Sequence, residues 1–468
     1  MRGHPIMFEP NEVITREDQL EGYFEPGSKP RGRWGVGLEY ERFGVFADSG
    51  EPVPYEGPRS VAAILGALVR ERGWQPEEEK GRILGARRGG TRITLEPGCQ
   101  MELSGAVHRS LGTLQAELHE YLDVVEATSH PLGVTWLGVG MHPFAALDRL
   151  PWIPKKRYHI MREYLPTRGR RGITMMKQTA CIQANLDYDG GADALGRMRV
   201  AMGLSPLVTA LFAHSPLTEG EPNGMMSARA WAWRDTDPDR CGLLPFVFKD
   251  QAGFGDYLDW ALDVPLFFVV RDGDYFPGDG TTFRRFIRDG FGGRKPTIAD
   301  FELHLTTLFP EVRLKRYIEL RGADSGDPAS ALALAALWKG LLYDPESMRL
   351  AWDLVRDWDF ESRNAFLDRV CRHGRLAPLP RQGAGGERVA GDLFDALVGF
   401  ARSGLEAQGA PGEGAFLEPL VARRRETPAE RLLADWSGAF GRDPRRLIAS
   451  LARNTLAGGS GAGVPIGG

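Results

Sequence analysis

Apolar and polar residues alternate in four short segments of this chain, 37–41, 94–103, 182–187 and 317–321. Alternation has the period of a strand, so each segment predicts a strand with one apolar and one polar face. Glu39 and Glu41 then share a face, as do Gln100 and Glu102, Gln183 and Asn185, and Glu319 and Arg321. Further strands are expected at 134–139 and, from a short apolar run, at 264–270. Apolar stripes at three and four predict helices over 59–72, 111–125, 192–213, 330–342, 346–358, 392–403 and 428–436. Pro206 is expected to kink or divide the third of these. Asp344-Pro345 and Thr427-Pro428-Ala429-Glu430 are N-terminal helix signals. Residues 15–24 read as a short helical lead-in. Residues 216–249 are rich in turn formers and arginine, and read as a long loop that is either a functional lid or a disordered connector, with 219–240 the part expected to close over substrates. Residues 383–386 read as a loop or linker, and the glycine-rich 457–468 as a disordered tail. Residues 1–456 are expected to form one unit, with a helical region from about 370 packed on it.

If the alternating strands lie in one sheet, its polar face gathers Glu39, Glu41, Glu96, Glu102 and Glu319. Two carboxylates about 4 Å apart repel by roughly 4 kcal/mol at an effective dielectric near 20. Such a group is stable only when dispersed in water or held around a cation. For any single segment, an ordinary wet edge strand accounts for the alternation. Four together favour a metal site built from oxygen ligands.

Composition narrows the field. The chain has 468 residues and a net charge of −4, so no global basic field recruits nucleic acid. The basic runs Lys155-Lys156-Arg157 and Arg168-Gly169-Arg170-Arg171 lack interleaved aromatics and read as solvated loops. Cys99, Cys181, Cys241 and Cys371 show no CxxC spacing, which fits a reducing compartment. The nine histidines contain no HExxH, which argues against zinc. No stretch of about 18 apolar residues and no apolar signal region is present. A cytoplasmic protein acting on small molecules, as monomer or homodimer, is expected.

Longer motifs carry a resemblance. Gly37-Leu38-Glu39-Tyr40-Glu41-Arg42-Phe43 resembles the Gly-x-Glu-x-Glu-x-Phe opening of plant-type glutamate–cysteine ligases, also common in proteobacteria. Residues 95–106 look like the LEPGGQ-x-ELSGA segment of that family. Residues 154–161, 183–187, 218–224, 243–248 and 309–324 match in order and spacing. The resemblance runs from about residue 16 to 450. It implies an α+β fold of the glutamine-synthetase-like carboxylate–amine ligase kind: a curved, mainly antiparallel sheet forming a polar funnel, with helices outside. It also implies a reaction, in which ATP phosphorylates the γ-carboxylate of glutamate and the amine of cysteine attacks the acyl phosphate.

Roles follow from that implied chemistry. Phosphoryl transfer needs the triphosphate charge neutralised and aligned, a task suited to Mg²⁺, with Mn²⁺ as a substitute. Glu39, Glu41, Glu96, Glu102 and Glu319 are expected at the metals, with Gln183 as a neutral ligand. Arg157 and Arg229 match the arginines that bind glutamate, and a guanidinium suits a carboxylate bidentately. Gln100, Asn185 and Trp231 are expected at the substrates. Arg313, Lys315 and Arg316 are expected at the nucleotide phosphates. Arg321, beside Glu319, is expected to stabilise the transferring phosphoryl group. Several positions depart from the family pattern. Cys99 replaces a glycine at a tight turn, Val107 a proline and Gln178 an arginine, whereas Tyr40, in place of histidine, points away from the glutamates. A γ-glutamyl ligase for a different amine acceptor is the close alternative, because small pocket changes redirect specificity by only a few kcal/mol; if Trp231, two residues after Arg229, lines the acceptor site, that amine is bulkier than cysteine. A binding protein without turnover and a metal-dependent hydrolase are the readings from other classes.

Overall fold

The computed structural model describes residues 9–380 and 387–452, so the proposed linker at 383–386 and tail at 457–468 lie outside the described residues. The alternating segments do become strands, and all lie in one sheet. Its strands are β1 (Val36–Phe46), β2 (Gln75–Glu79), β3 (Arg82–Arg88), β4 (Thr91–Leu95), β5 (Met101–Ser104), β6 (Val134–Leu137), β7 (Cys181–Leu186), β8 (Val312–Leu314) and β9 (Ile318–Asp324). The order is β8-β9-β7-β1-β5-β4-β3-β2, with β6 paired to the far end of β1. Every pairing in this sheet is antiparallel. Glu39 stands opposite Gln183 on one side and Ser104 on the other, and Glu319 opposite Asn185. One face is apolar: Leu38 and Tyr40 of β1, Ile182 and Ala184 of β7, and Ile318 and Leu320 of β9 are buried beneath the sheet. Tyr40 bonds Gly326 O from that face, at 2.7 Å.

Ten of the helices cover the sheet or brace those that do: α1 (Val61–Arg72), α2 (Leu111–Ser129), α3 (Lys156–Tyr164), α4 (Gly172–Gln178), α5 (Gly190–Leu211), α6 (Ala228–Arg234), α7 (Pro328–Tyr343), α8 (Phe394–Ala407), α9 (Pro428–Ser437) and α10 (Pro444–Leu451). Ser60, Ser110 and Asp327 cap α1, α2 and α7 through bonds to N–H groups of the first turn. Nearly every residue of α7 is buried, which explains its continuous apolar character. It packs against α8, α2 and the apolar side of β1 and β7. One hydrophobic core runs from Ile14 to Leu420; a smaller cluster joins α9 and α10 to Phe43 and Val45 of β1. Each fully buried leucine in it contributes about 1.5–3 kcal/mol. Among the described residues no helix is long and apolar enough to cross a membrane.

The differences from expectation have local causes. The lead-in at 15–24 is a single 3₁₀ turn, Glu17–Leu20. The Gln19 side chain takes the N–H groups of Thr15 and Arg16, and so competes with a longer helix. Pro206 lies inside α5 without dividing it. The helix expected over 346–358 is shorter, Pro345–Asp353. The run at 264–270 forms a strand only at Phe268–Arg271, hairpinned to Asp274–Pro277 outside the main sheet. Its turn, Asp272-Gly273, has both residues at positive φ, as a type I′ hairpin requires. The segment 216–249 is no free loop: it contains α6, docked against β9.

Candidate active site

The polar face of the sheet is the floor of a cavity of about 380 Å³. From β8 come Arg313 and, just after it, Lys315; from β9, Glu319 and Arg321; from β7, Cys181 and Gln183. From β1 come Glu39 and Glu41, from β5 Glu102, from β4 Arg92 and Thr94, and just after it Glu96. Lys155 and α3 (Arg157, Tyr158), α4 (Met175, Met176) and α6 (Arg229, Trp233) cover it.

The charges are segregated. Glu39, Glu41, Glu96 and Glu102 occupy the β1–β5–β4 side. Glu41 is held by the Cys181 N–H at 2.7 Å and the Cys181 thiol at 3.2 Å. Burial, and then Glu96, push its pKa up to about 7. Burial followed by repulsion from Glu39, Glu96 and Glu41 puts Glu102 well above the usual carboxylate range. Glu39 is raised by burial and by Glu319. Lys155, Arg92 and Arg229 lie near these carboxylates, yet Glu39, Glu41 and Glu102 all remain raised.

The β8–β9 side is the reverse. Glu319 is fully buried and accepts from Arg313 through both oxygens. Lys315 lies 3.2 Å and Arg321 3.3 Å from it. Burial pushes the Glu319 pKa up, but the three cations outweigh it and hold it well below the usual range. Glu319 thus anchors a cluster of cations, although its charge still reaches Glu39 on the acidic side. Gln183 is likewise committed: its Oε1 accepts from Arg321 Nη1 at 2.8 Å. Glu319 is thus tied to Arg313, Lys315 and Arg321, and Gln183 to Arg321, while both line the cavity in which they are expected.

Asn185 donates to Glu39 at 3.0 Å, while its Oδ1 is buried with no hydrogen-bond partner among the described residues. It faces an annex of about 190 Å³ that shares Glu39, Arg92, Ser104 and Tyr317 with the main cavity. Gln100 reaches the cavity wall with its amide spent: it accepts from Gly98 N and donates to Met176 O and Thr179 O. It therefore fastens the turn after β4 to the end of α4 and has no donor left for a substrate. In that turn Cys99 has φ of 67°, the left-handed region in which glycine is at ease. Its thiol is buried, which pushes its pKa up and keeps it protonated.

The arginines differ in their ties. Arg157 lies over the rings of Tyr158 and Phe268, and its buried Nε has no hydrogen-bond partner among the described residues. Arg229 is fixed: Nη2 donates to Arg321 O at 2.7 Å and Nη1 lies 4.0 Å from Asp324. Asp324 also accepts from His214 N, Ser215 Oγ and Ser227 Oγ, and Ser227 caps α6. One buried carboxylate thus sets both the helix and its arginine.

Two expected residues lie elsewhere. Trp231 points away from the cavity, against Arg171 and Arg372. Trp233 lines it instead, 5.4 Å from Phe309 and 5.5 Å from Arg321. The helical repeat explains this, because Arg229 and Trp233 are four apart and share a face. Arg316 faces outward, 3.2 Å from Glu302 and over Tyr23, because the residue after Lys315 leaves the cavity side. Arg92 and Trp233 lie outside the family-like segments, and Lys155 and Asp324 lie inside them without being singled out.

A cation fits the acidic side in part. Among the described residues, no three His, Cys, Asp or Glu side chains gather closely enough to hold one by themselves. Yet mutually raised carboxylates and an unpartnered Asn185 oxygen are what a hard cation would relieve. Mg²⁺ commonly takes one or two carboxylates and completes its shell with waters and substrate phosphates.

An open antiparallel sheet with helices on its apolar side and acids and bases on its polar face fits the carboxylate–amine ligase class. The fold is shared with the crystal structure of glutamate–cysteine ligase from Francisella tularensis in complex with AMP, at a TM-score of 0.55 and 14% identity, over 90% of this chain and 89% of that one. The chain belongs to glutamate–cysteine ligase family 2 (GCS2), whose family model matches residues 35–447. It is 41% identical over 435 residues to the chloroplastic glutamate–cysteine ligase of Brassica juncea, covering 92% of this chain and 82% of that protein. It is 42% identical to the chloroplastic enzyme of Nicotiana tabacum, covering 92% and 81%.

Proposed function

We propose that this protein joins the γ-carboxylate of L-glutamate to the amine of L-cysteine at the expense of ATP, giving γ-glutamylcysteine, ADP and phosphate, the first step of glutathione biosynthesis. The observation that carries the reading is the charge-segregated sheet face. A polyphosphate needs the cation cluster, and an amino-acid substrate needs both signs.

The γ-carboxylate oxygen attacks the terminal phosphorus of ATP, and ADP leaves. The neutral amine then attacks the acyl carbon, phosphate departs with the carboxylate oxygen, and the proton that nitrogen loses as the amide forms leaves with the phosphate. Arg313, Lys315 and Arg321 neutralise the transferring phosphoryl group. They are preorganised for this by Glu319, so no reorganisation accompanies the transfer. Arg157, with its open Nε, and Arg229 take the carboxylates of glutamate. Trp233 and Phe309 form the apolar wall for the acceptor side chain. Glu39, Glu41, Glu96 and Glu102 would hold Mg²⁺ or Mn²⁺, which supplies Lewis-acid stabilisation of the phosphate oxygens. The cytoplasm is the compartment we assign, supported by four unpaired cysteines. The alternative of a bulkier amine rested on Trp231, which lies outside the cavity.

The test is ADP release from Mg-ATP and glutamate, with and without cysteine, against a panel of other amines. Cysteine-dependent release with γ-glutamylcysteine as product is the expected result. Release driven better by another amine would reassign the acceptor. ATP binding without turnover would overturn the ligase reading.

A further inference from the structure

A second cavity, about 410 Å³, lies on the other side of the sheet and shares no lining residue with the first. Its walls come from the residue after β6 (Gly138), the segment after α5 (His214), the starts of α7 and α9, and the end of α10. Nothing in the proposed ligation uses it.

Three features define its chemistry. The first is Arg423, which is 5% exposed and makes no ion pair within 4 Å among the described residues, although Asp327 on the same wall acts on it at longer range. Nη1 and Nη2 donate to Leu211 O and Ser330 Oγ, and the guanidinium lies 4.6 Å over Phe212; Nε has no partner among the described residues. A buried cation without a contacting counter-ion favours an anion at the cavity surface. The starts of α7 and α9 reach the same wall through Ser330 and Thr427, but Asp327 and Glu430 already take N–H groups there, so the preference for an anion rests on Arg423.

The second feature is His214. Its Nδ1 lies 3.1 Å from Ser325 O, and a carbonyl only accepts, so Nδ1 carries the proton. Nε2 therefore keeps a lone pair that seeks a donor. Burial lowers its pKa and keeps the ring neutral. The third feature is the balance of the remaining charges. Arg431 is paired with Glu426, and Asp327 caps Ser330 N, but Asp435 has no ion-pair partner among the described residues.

We infer that this rear cavity is a binding site for a small zwitterion, a free α-amino acid or short peptide, with its carboxylate on Arg423 and its ammonium toward His214 and Asp435. A simple anion would leave the acceptors unmatched, and a simple amine would leave Arg423 unmatched. The site also touches the segment that serves the first cavity: Ser215, next to His214, receives the Arg229 N–H at 3.1 Å.

The test is titration calorimetry of the full chain with a panel of free L-amino acids and γ-glutamylcysteine. Wild type, Arg423→Met and Asp435→Asn are compared, all with ATP analogue and glutamate saturating the front cavity. At least one zwitterion is expected to bind the wild type and to lose about tenfold or more in affinity in each variant. Acetate and phosphate are expected not to compete. Absence of any binding that depends on these two residues would overturn the inference, as would acetate or phosphate binding as tightly as the zwitterion. Should Arg423→Met fail to fold, Asp435→Asn carries the test, because Asp435 is partly exposed and makes no side-chain bond among the described residues.

Discussion

Replacing Glu319 by glutamine removes one negative charge from among three cations while keeping the side chain's shape. Arg313, Lys315 and Arg321 would be left facing one another, and Arg313 and Arg321 are almost wholly buried. Breaking a buried charge cluster in this way costs about 3–5 kcal/mol. At an unfolding entropy of about 2.1 cal/mol/K per residue, a chain of this length loses roughly 1 °C per kcal/mol, so Glu319→Gln should melt roughly 3–5 °C lower. The same change creates a stronger anion site. Tripolyphosphate should therefore raise the melting temperature of the variant more than that of the wild type, while turnover falls because the cations have lost their anchor. The sign with pH also follows. Glu319 titrates well below an unfolded glutamate, so its contribution is full above the unfolded pKa and is lost only as pH falls through the folded one. The deficit should be flat between pH 6 and 8. Scanning fluorimetry at three pH values, with and without tripolyphosphate, measures all of this. A variant that melts with the wild type and gains no more from tripolyphosphate would refute the reasoning.

Glu41 should behave in the opposite sense. Its folded pKa of about 7 exceeds the unfolded value near 4.3, so ligand-free stability falls as pH rises between them. Glu41→Gln should flatten that slope and melt higher than the wild type at pH 8 while losing activity; an unchanged slope between pH 5 and 8 would count against the carboxylate cluster. Trp233→Ala should lower kcat/KM for the acceptor by about tenfold or more, from lost aromatic contact, whereas Trp231→Ala should stay within about twofold; steady-state kinetics with cysteine separates them. Lys315→Ala should raise the KM for ATP by about tenfold, the loss of a charged contact. Arg316→Ala should leave that KM unchanged and cost at most about 1 kcal/mol, as befits a surface pair.

What could be read from the chain divides by range. The period of two put Glu39, Glu41, Glu102, Gln183, Asn185 and Glu319 on the polar faces of their strands, because the rule is local and each strand obeys it. The same rule, carried one residue past Lys315, excludes Arg316. The helical repeat, applied from Arg229, selects Trp233 over Trp231. The hairpin of β2 and β3 gives no periodic signal because Gln75–Glu79 has no apolar residue but Pro76, although Lys80-Gly81 has the left-handed pair that closes it. Long-range partners were beyond such rules. Nothing near Asp324 in sequence announces that it receives His214, Ser215 and Ser227. Nor does the neighbourhood of Gln100 reveal that its amide is spent on the end of α4.

The alternation on β1 also has a bearing on how the chain finds its fold. Leu38 and Tyr40 are 1% exposed on one side of the strand, and Glu39 and Glu41 stand on the other. Sliding β1 by one residue between β5 and β7 would drive both glutamates into the core and lift both apolar residues into the cavity. Each carboxylate so buried without a partner costs several kcal/mol. The side chains assigned to the chemistry are therefore also alignment marks that forbid the neighbouring pairings. Neutralising several of them together should yield a protein that is not merely inactive but heterogeneous in strand pairing.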